Sequence, residues 1–182
     1  MPNGSNESSA ELILRVKLGN PEALAAIYSR YADSLMALAY RLTGSAEDAE
    51  DVLHDVFLGL REALRHYEEL GSVESWLKRV TARVALSRLR AAKIRRETMT
   101  ADFSTVSASG AAYPIHDDWL VKRAIDSLPP ALRTVFVLKE VEGFSHAEIA
   151  SLLGITSGNS EVRLHRAVKE LRQRLSPKRV EQ

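Results

Sequence analysis

The side chains in this sequence best suited to act on another molecule are cationic, and they fall in two separate stretches. Lys78, Arg79, Arg83, Arg88, Arg90, Lys93, Arg95 and Arg96 crowd into residues 73–97, which hold eight basic groups against two glutamates. Trp76 stands at the front of that run, with Tyr67 just upstream. Cations hold phosphates and aromatic rings stack on unpaired bases, so the combination suits a single-stranded polyphosphate. A lone Trp at a helix start is more often a core side chain, so the charge density rather than the ring carries that reading. The second stretch, Arg163 to Arg179, carries seven basic groups and one acid, Glu170. Within it Arg163, Arg166, Lys169, Arg172 and Arg174 follow polar Asn159, Ser160 and Glu161, which could face base edges while the cations meet phosphate.

Other spacings are acidic. Residues 11–72 hold eleven acidic and six basic groups, a local excess hidden in a formal net charge of +1. There Asp51, His54, Asp55 and Leu58 fall at i, i+3, i+4 and i+7, one face of a helix. An acidic ridge with one apolar member suits a basic partner helix, and an ordinary solvated face is the alternative. Catalytic chemistry finds little support. His54 with Asp55, His146 with Glu148 and Glu161 with His165 could be drawn as acid-base or metal pairs, but no HExxH, phosphate-loop, dinucleotide or deaminase motif accompanies them. With no cysteine there is no thiol nucleophile, disulfide or iron-sulfur cluster. The expectation is a non-enzymatic chain with no catalytic residue, metal or cofactor.

The elements that must carry these groups read as helices. At 182 residues the chain has room for one ordinary domain or two small ones. Its 45% apolar and 27% charged content is that of a globular protein. Apolar residues recur three and four apart without hairpin signals, so the fold class is all-α. One helix is expected from Ala10 to about Leu18. A second, capped by Asn20 with Pro21 in its first turn, runs to Thr43, and a third, capped by Ser45, reaches roughly Tyr67. Val52, Leu53, Val56, Leu60 and Leu64 form the inward stripe of the third. The basic helix begins at Ser72 or Ser75 and runs through Arg96.

From Thr98 to Ala112, 11 of 15 residues are Ser, Thr, Ala or Gly, which reads as a flexible linker. Order is expected to resume at Asp117, as the cap of a helix from Trp119 to Ser127. Pro129-Pro130 then starts another through Val141, ended by Gly143. Ser145-His-Ala-Glu148 is a capping box in front of an apolar run. Ile149, Ala150, Leu153, Gly154 and Ile155 have the order of two helices crossing at a sharp turn, with the second helix over Ser157 to Leu175. The domain plan is therefore a disordered tail (1–10), a helical domain (11–97), a flexible linker (98–116), a helix-turn-helix domain (117–176) and a second tail (177–182). No signal peptide or run of about 18 apolar residues occurs, so no membrane insertion is expected and the protein is expected to work in the cytoplasm.

Three stretches together resemble the extracytoplasmic-function (ECF) group of bacterial RNA polymerase sigma factors. They are Asp48-Ala-Glu-Asp-Val-Leu-His-Asp-Val-Phe57, Ser75-Trp-Leu-Lys-Arg-Val80 running into Arg88-Leu-Arg90, and Leu128-Pro-Pro to Leu171 with Arg163-Leu-His-Arg-Ala167. The resemblance implies that residues 11–97 dock on core RNA polymerase and open the minus-ten element, and that residues 117–176 read the minus-thirty-five element of promoter DNA. It implies polymerase contact by Asp51, His54, Asp55 and Leu58. Minus-ten contacts would come from Trp76, Lys78, Arg79, Arg83, Arg88 and Arg90, helped by the loop Glu68 to Ser75. In the recognition helix, base-reading positions fall on Glu161, Val162, His165 and Arg166, and phosphate-binding positions on Asn159 and Arg163. The likeness also implies an anti-sigma partner.

The sequence departs from the family pattern at several of these places. His54 replaces the usual Gln, while Arg83 and Ser87 replace Asn and Asp, which leaves the flipped minus-ten base unassigned. Ser160 replaces a buried Val, expected to cost on the order of 1–3 kcal/mol unless the hydroxyl finds a partner or Val162 partly compensates. Glu161 reverses a charge beside DNA; a carboxylate repels phosphate but can accept a hydrogen bond from cytosine N4, so an altered sequence preference is expected.

Overall fold

The computed structural model describes residues 7–67, 72–99 and 118–175, and all regular structure among them is helical. The chain separates into two compact units, Met1–Gly110 and Ala111–Gln182.

The first unit opens with α1 (Ser9–Lys17). Its start precedes the expected Ala10 because Ser8 and Glu11 close a capping box. The Ser8 hydroxyl accepts from the Glu11 amide while the Glu11 carboxylate accepts from the Ser8 amide. Part of the stretch expected as a tail over residues 1–10 is therefore structured: Glu7 pairs with Arg15 at 2.8 Å, and the Ser9 hydroxyl bonds that of Tyr31 at 2.6 Å. Helix α2 (Pro21–Thr43) follows, capped by the Asn20 side chain as its sequence requires.

The expected third helix is broken into pieces. Helix α3 (Ala46–Leu58), capped by Ser45, ends at Gly59, after which come α4 (Leu60–Ala63) and a 3₁₀ turn (Leu64–His66). A Cβ at Gly59 would stand 3.3 Å from the Asp55 carbonyl, a close approach that the missing side chain permits. The break swings the chain without losing the inward stripe, since Val52, Leu53, Val56, Leu60 and Leu64 are all buried. Helix α5 (Val73–Met99) is capped by the Ser72 hydroxyl, which accepts from the Ser75 amide at 3.1 Å, and it runs to Met99, past the expected Arg96 and linker start. Leu12, Ile27, Leu35, Leu60, Leu64 and Leu77 share one core across these helices. Apolar burial on this scale, at about 25 cal/mol per Å², is what holds the unit together.

In the second unit, α6 (Asp118–Asp126) leads through Leu128 and Pro129 to α7 (Pro130–Phe136). The latter widens into a π-helical turn over Val137–Val141, closed by the Glu142 amide donating to the Val137 carbonyl. Helix α8 (His146–Leu153) begins at the expected Ser145–Glu148 capping box. Gly154 then takes φ +67°, the left-handed conformation that lets α9 (Ser157–Leu175) turn away sharply. Ile149, Ala150 and Leu152 are buried in α8, whereas Leu153 is only half-buried. Ala167 and Leu171 of α9 close a core with Ala124 and Leu128. The remainder of the expected linker, Asp117, the second tail and Glu68 to Gly71 of the expected capture loop lie outside the described residues.

Candidate nucleic-acid and partner interfaces

On α9, burial settles which face can meet another molecule. Ser160, Ala167 and Leu171 point inward, seven and four residues apart, so Val162, His165, Arg166 and Lys169 emerge on the opposite side, all exposed. Glu161 is exposed on one flank beside His165, one turn on. Asn159, exposed, and Arg163, half-buried, lie on the other flank. The helix start is fixed by Thr156, whose hydroxyl accepts from the Asn159 amide at 3.1 Å. Thus all six predicted upstream-element residues lie on or beside one accessible face, and its exposed amide-bearing, acidic, imidazole and guanidinium groups have the chemistry of base-edge readout. An open depression of about 510 Å³ runs along the Glu161 flank, lined also by His146, His165, Lys169 and Arg172.

Two residues behave differently from a simple reading of the pattern. Ser160 is 0% exposed, and its Oγ lies 2.9 Å from Nδ1 of His146 at the start of α8. The polar replacement in the core is therefore satisfied from the neighbouring helix, while Val162 stays half in solvent. Sequence alone could not pair two residues 14 apart; the only hint was a Ser at an apolar position and a His inside the capping box. Arg174, counted with the DNA-facing cations, reaches the residue after α6, donating to the Ser127 hydroxyl at 2.6 Å and pairing with Glu170 at 3.0 Å. It helps close the unit.

On the first unit, α3 presents Asp51, His54 and Leu58 to solvent, with Leu58 70% exposed and Asp55 half-buried. The ridge is real as a shape. Helix α5 exposes Arg83 and Arg90, while Lys78 and Arg79 are half-buried and Lys78 pairs with Glu74 at 3.4 Å. Trp76 is half-buried against the core, edge-on to Tyr67 with ring centroids 5.0 Å apart. That is the packing alternative: its ring is engaged within the unit. Arg88, expected among the strand-gripping cations, spans Asp51 and Asp55 with its guanidinium, across α3 and α5. Those carboxylates raise its pKa further, chiefly through the hydrogen bond to Asp55. Among the described residues no group of three or more His, Asp or Glu is placed to hold a metal ion.

Comparison with known proteins decides what this pairing of surfaces belongs to. Residues 27–94 match the family model for Sigma-70 region 2 and residues 119–171 that for Sigma-70 region 4. The ECF RNA polymerase sigma factor SigL of Mycobacterium tuberculosis is 32% identical over 154 residues, covering 81% of this chain and 85% of that one. The chain belongs to the ECF sigma factors. Another relative, the ECF sigma factor SigE of Mycolicibacterium smegmatis, is 35% identical over 153 residues, covering 81% of this chain and 59% of SigE. The solved structure of the sigma factor RpoE in complex with the anti-sigma factor NepR from Bartonella quintana shares the fold. It has a TM-score of 0.65 at 22% identity and covers 85% of this chain and 98% of that one. This sigma factor thus serves promoter recognition in transcription initiation, and its two matched regions fall in the two compact units. No helix among its described residues is long and apolar enough to cross a membrane.

Proposed function

We propose that the sigma factor divides promoter recognition between its units, with residues 11–97 docking on core polymerase and opening the minus-ten element and residues 117–176 reading the minus-thirty-five element. The observation that carries this reading is the exposed α9 face, where base-reading types (Glu161, Val162, His165, Arg166) stand beside a flank of candidate phosphate contacts (Asn159, Arg163). On the first unit, the α3 ridge of Asp51, His54, Asp55 and Leu58 meets a basic and partly apolar surface of polymerase, and Arg83 and Arg90 of α5 engage the opened strand. Arg79 and Trp76 precede Arg83 by four and seven residues on the same side of α5, with Lys78 on its flank, and Trp76 also packs against the core of the unit.

No chemical step is required of the protein. Replacing duplex stacking costs about 1.4 kcal/mol per base step, and capture of unstacked bases together with phosphate contacts offsets it. The protein works in the cytoplasm as a non-enzymatic initiation factor. An anti-sigma protein is its regulatory partner, a reading supported by the RpoE–NepR complex.

Transcription reconstituted from this protein, core polymerase and a promoter library tests the whole reading. Enrichment of two separated elements is the expected result, and failure of the full chain to associate with core enzyme overturns it. Within that assay Arg163→Ala is expected to weaken upstream binding and flatten its salt dependence by roughly one phosphate's worth, a log-log slope change of about 0.9.

A further inference from the structure

The polar contacts that Asp51 and Asp55 of the candidate docking ridge make are with a residue of the other helix. Arg88 Nε donates to Asp55 Oδ2 at 2.7 Å, one terminal guanidinium nitrogen donates to Asp51 Oδ2 at 2.8 Å, and the other lies 2.6 Å from Asp55 Oδ2. Both carboxylates are held through Oδ2 alone, so each keeps Oδ1 for another donor. The side chains stay accessible, Asp51 60% and Asp55 41% exposed. Charge is not used up either: Ala46–Leu58 carries Glu47, Asp48, Glu50, Asp51 and Asp55 with no Lys or Arg, and one guanidinium leaves it strongly anionic.

We propose that Arg88 is a positioning residue for polymerase docking, fixing the rotamers of Asp51 and Asp55 and tying α3 to α5, rather than a minus-ten DNA contact. The inference rests on the reading of the α3 ridge as the polymerase-docking surface. An aspartate alone on a helix surface must give up rotamer freedom when a partner arrives, which weakens association. Arg88 removes most of that loss beforehand for two carboxylates at once. The planar fork is needed, since an ammonium is a point charge that cannot address both in fixed geometry.

The test uses the full chain with core polymerase, comparing wild type with Arg88→Met, which keeps an apolar stem, and with Arg88→Lys. Arg88→Met is expected to weaken polymerase association about fivefold to tenfold. Arg88→Lys should recover part of that loss. In an Asp51→Asn, Asp55→Asn background the same Arg88→Met change is expected to have no further effect, which assigns the loss to these two carboxylates, while the incomplete recovery by Arg88→Lys, which keeps the charge tie between α3 and α5 but not the planar fork, reads positioning apart from scaffolding. Holoenzyme assembled at saturating polymerase should bind a single-stranded minus-ten oligonucleotide with wild-type affinity and salt slope. Unchanged or tighter polymerase association by Arg88→Met overturns the proposal, as does a loss confined to oligonucleotide binding. If wild type itself does not bind core enzyme, the docking reading falls first, and that outcome is distinct from both.

Discussion

His146 Nδ1 and Ser160 Oγ, 2.9 Å apart, join the first helix of the helix-turn-helix to the recognition helix through its otherwise apolar seam. Ser160 is fully buried and His146 half-buried, so the bond spares a core hydroxyl from being stranded. Removing either partner is expected to destabilise the second unit by about 1–2 kcal/mol. His146→Ala and Ser160→Ala together should cost less than the two separately. Hydrogen exchange of the α8 and α9 amides in the full chain reads this unit apart from the other, and strict additivity would show that the pair does not interact.

Glu161 is exposed one turn before His165 on the recognition helix, where its carboxylate can accept from a cytosine amino group. Promoter selection is expected to favour cytosine at one upstream position, with Glu161→Gln weakening that preference and Glu161→Lys abolishing it. A bidentate or well-aligned base contact discriminates by about 1–3 kcal/mol, enough to appear as a tenfold or greater enrichment. Identical selected sequences for wild type and Glu161→Lys would count against the carboxylate as a reader.

Trp76 packs edge-on to Tyr67 and against the core of the first unit. Trp76→Ala should therefore destabilise that unit by about 2–3 kcal/mol, below the range for fully buried rings because Trp76 is half-buried. Trp76→Phe should restore most of the stability by keeping an aromatic contact. Thermal denaturation of both variants checks this, and a Trp76→Ala midpoint equal to wild type would show the ring to be dispensable for packing.

The Glu11 carboxylate accepts from the Ser8 amide at 2.9 Å and from the Ser8 hydroxyl, and these bonds hold its pKa below the ordinary 4.5, the backbone one foremost. Because the folded pKa is depressed, the cap's contribution is complete above the unfolded value and is lost as pH falls through the folded one. The N-terminal turn of α1 is expected to fray in that acidic window. Glu11→Gln, which can still accept from Ser8, should remove the pH dependence, as followed by exchange of the Leu12 and Ile13 amides.

Much of the local structure was legible before any coordinates. Asn20, Ser45 and Ser145 each cap the helix their spacing announced, because a side chain three residues from an amide needs no distant partner to satisfy it. Gly154 likewise marked the turn between α8 and α9. The unbroken helix expected from Ser45 to Tyr67 was not observed. A periodic apolar stripe persists through a bend, so periodicity kept Leu60 and Leu64 inward while saying nothing of the break at Gly59.

By itself, then, the sequence determined the all-α class, the capped helix starts, the inward stripes and the faces on which the candidate site residues stand, since these depend on neighbours within a turn or two. Tertiary structure alone decided which distant groups the polar side chains meet. Arg88 meets acids 33 and 37 residues away and Arg174 a hydroxyl 47 residues away, while Ser160 finds its histidine on another helix. Charge and spacing along a chain say that an arginine is available; only the packing of one helix on another places a carboxylate or hydroxyl within 3 Å of it first.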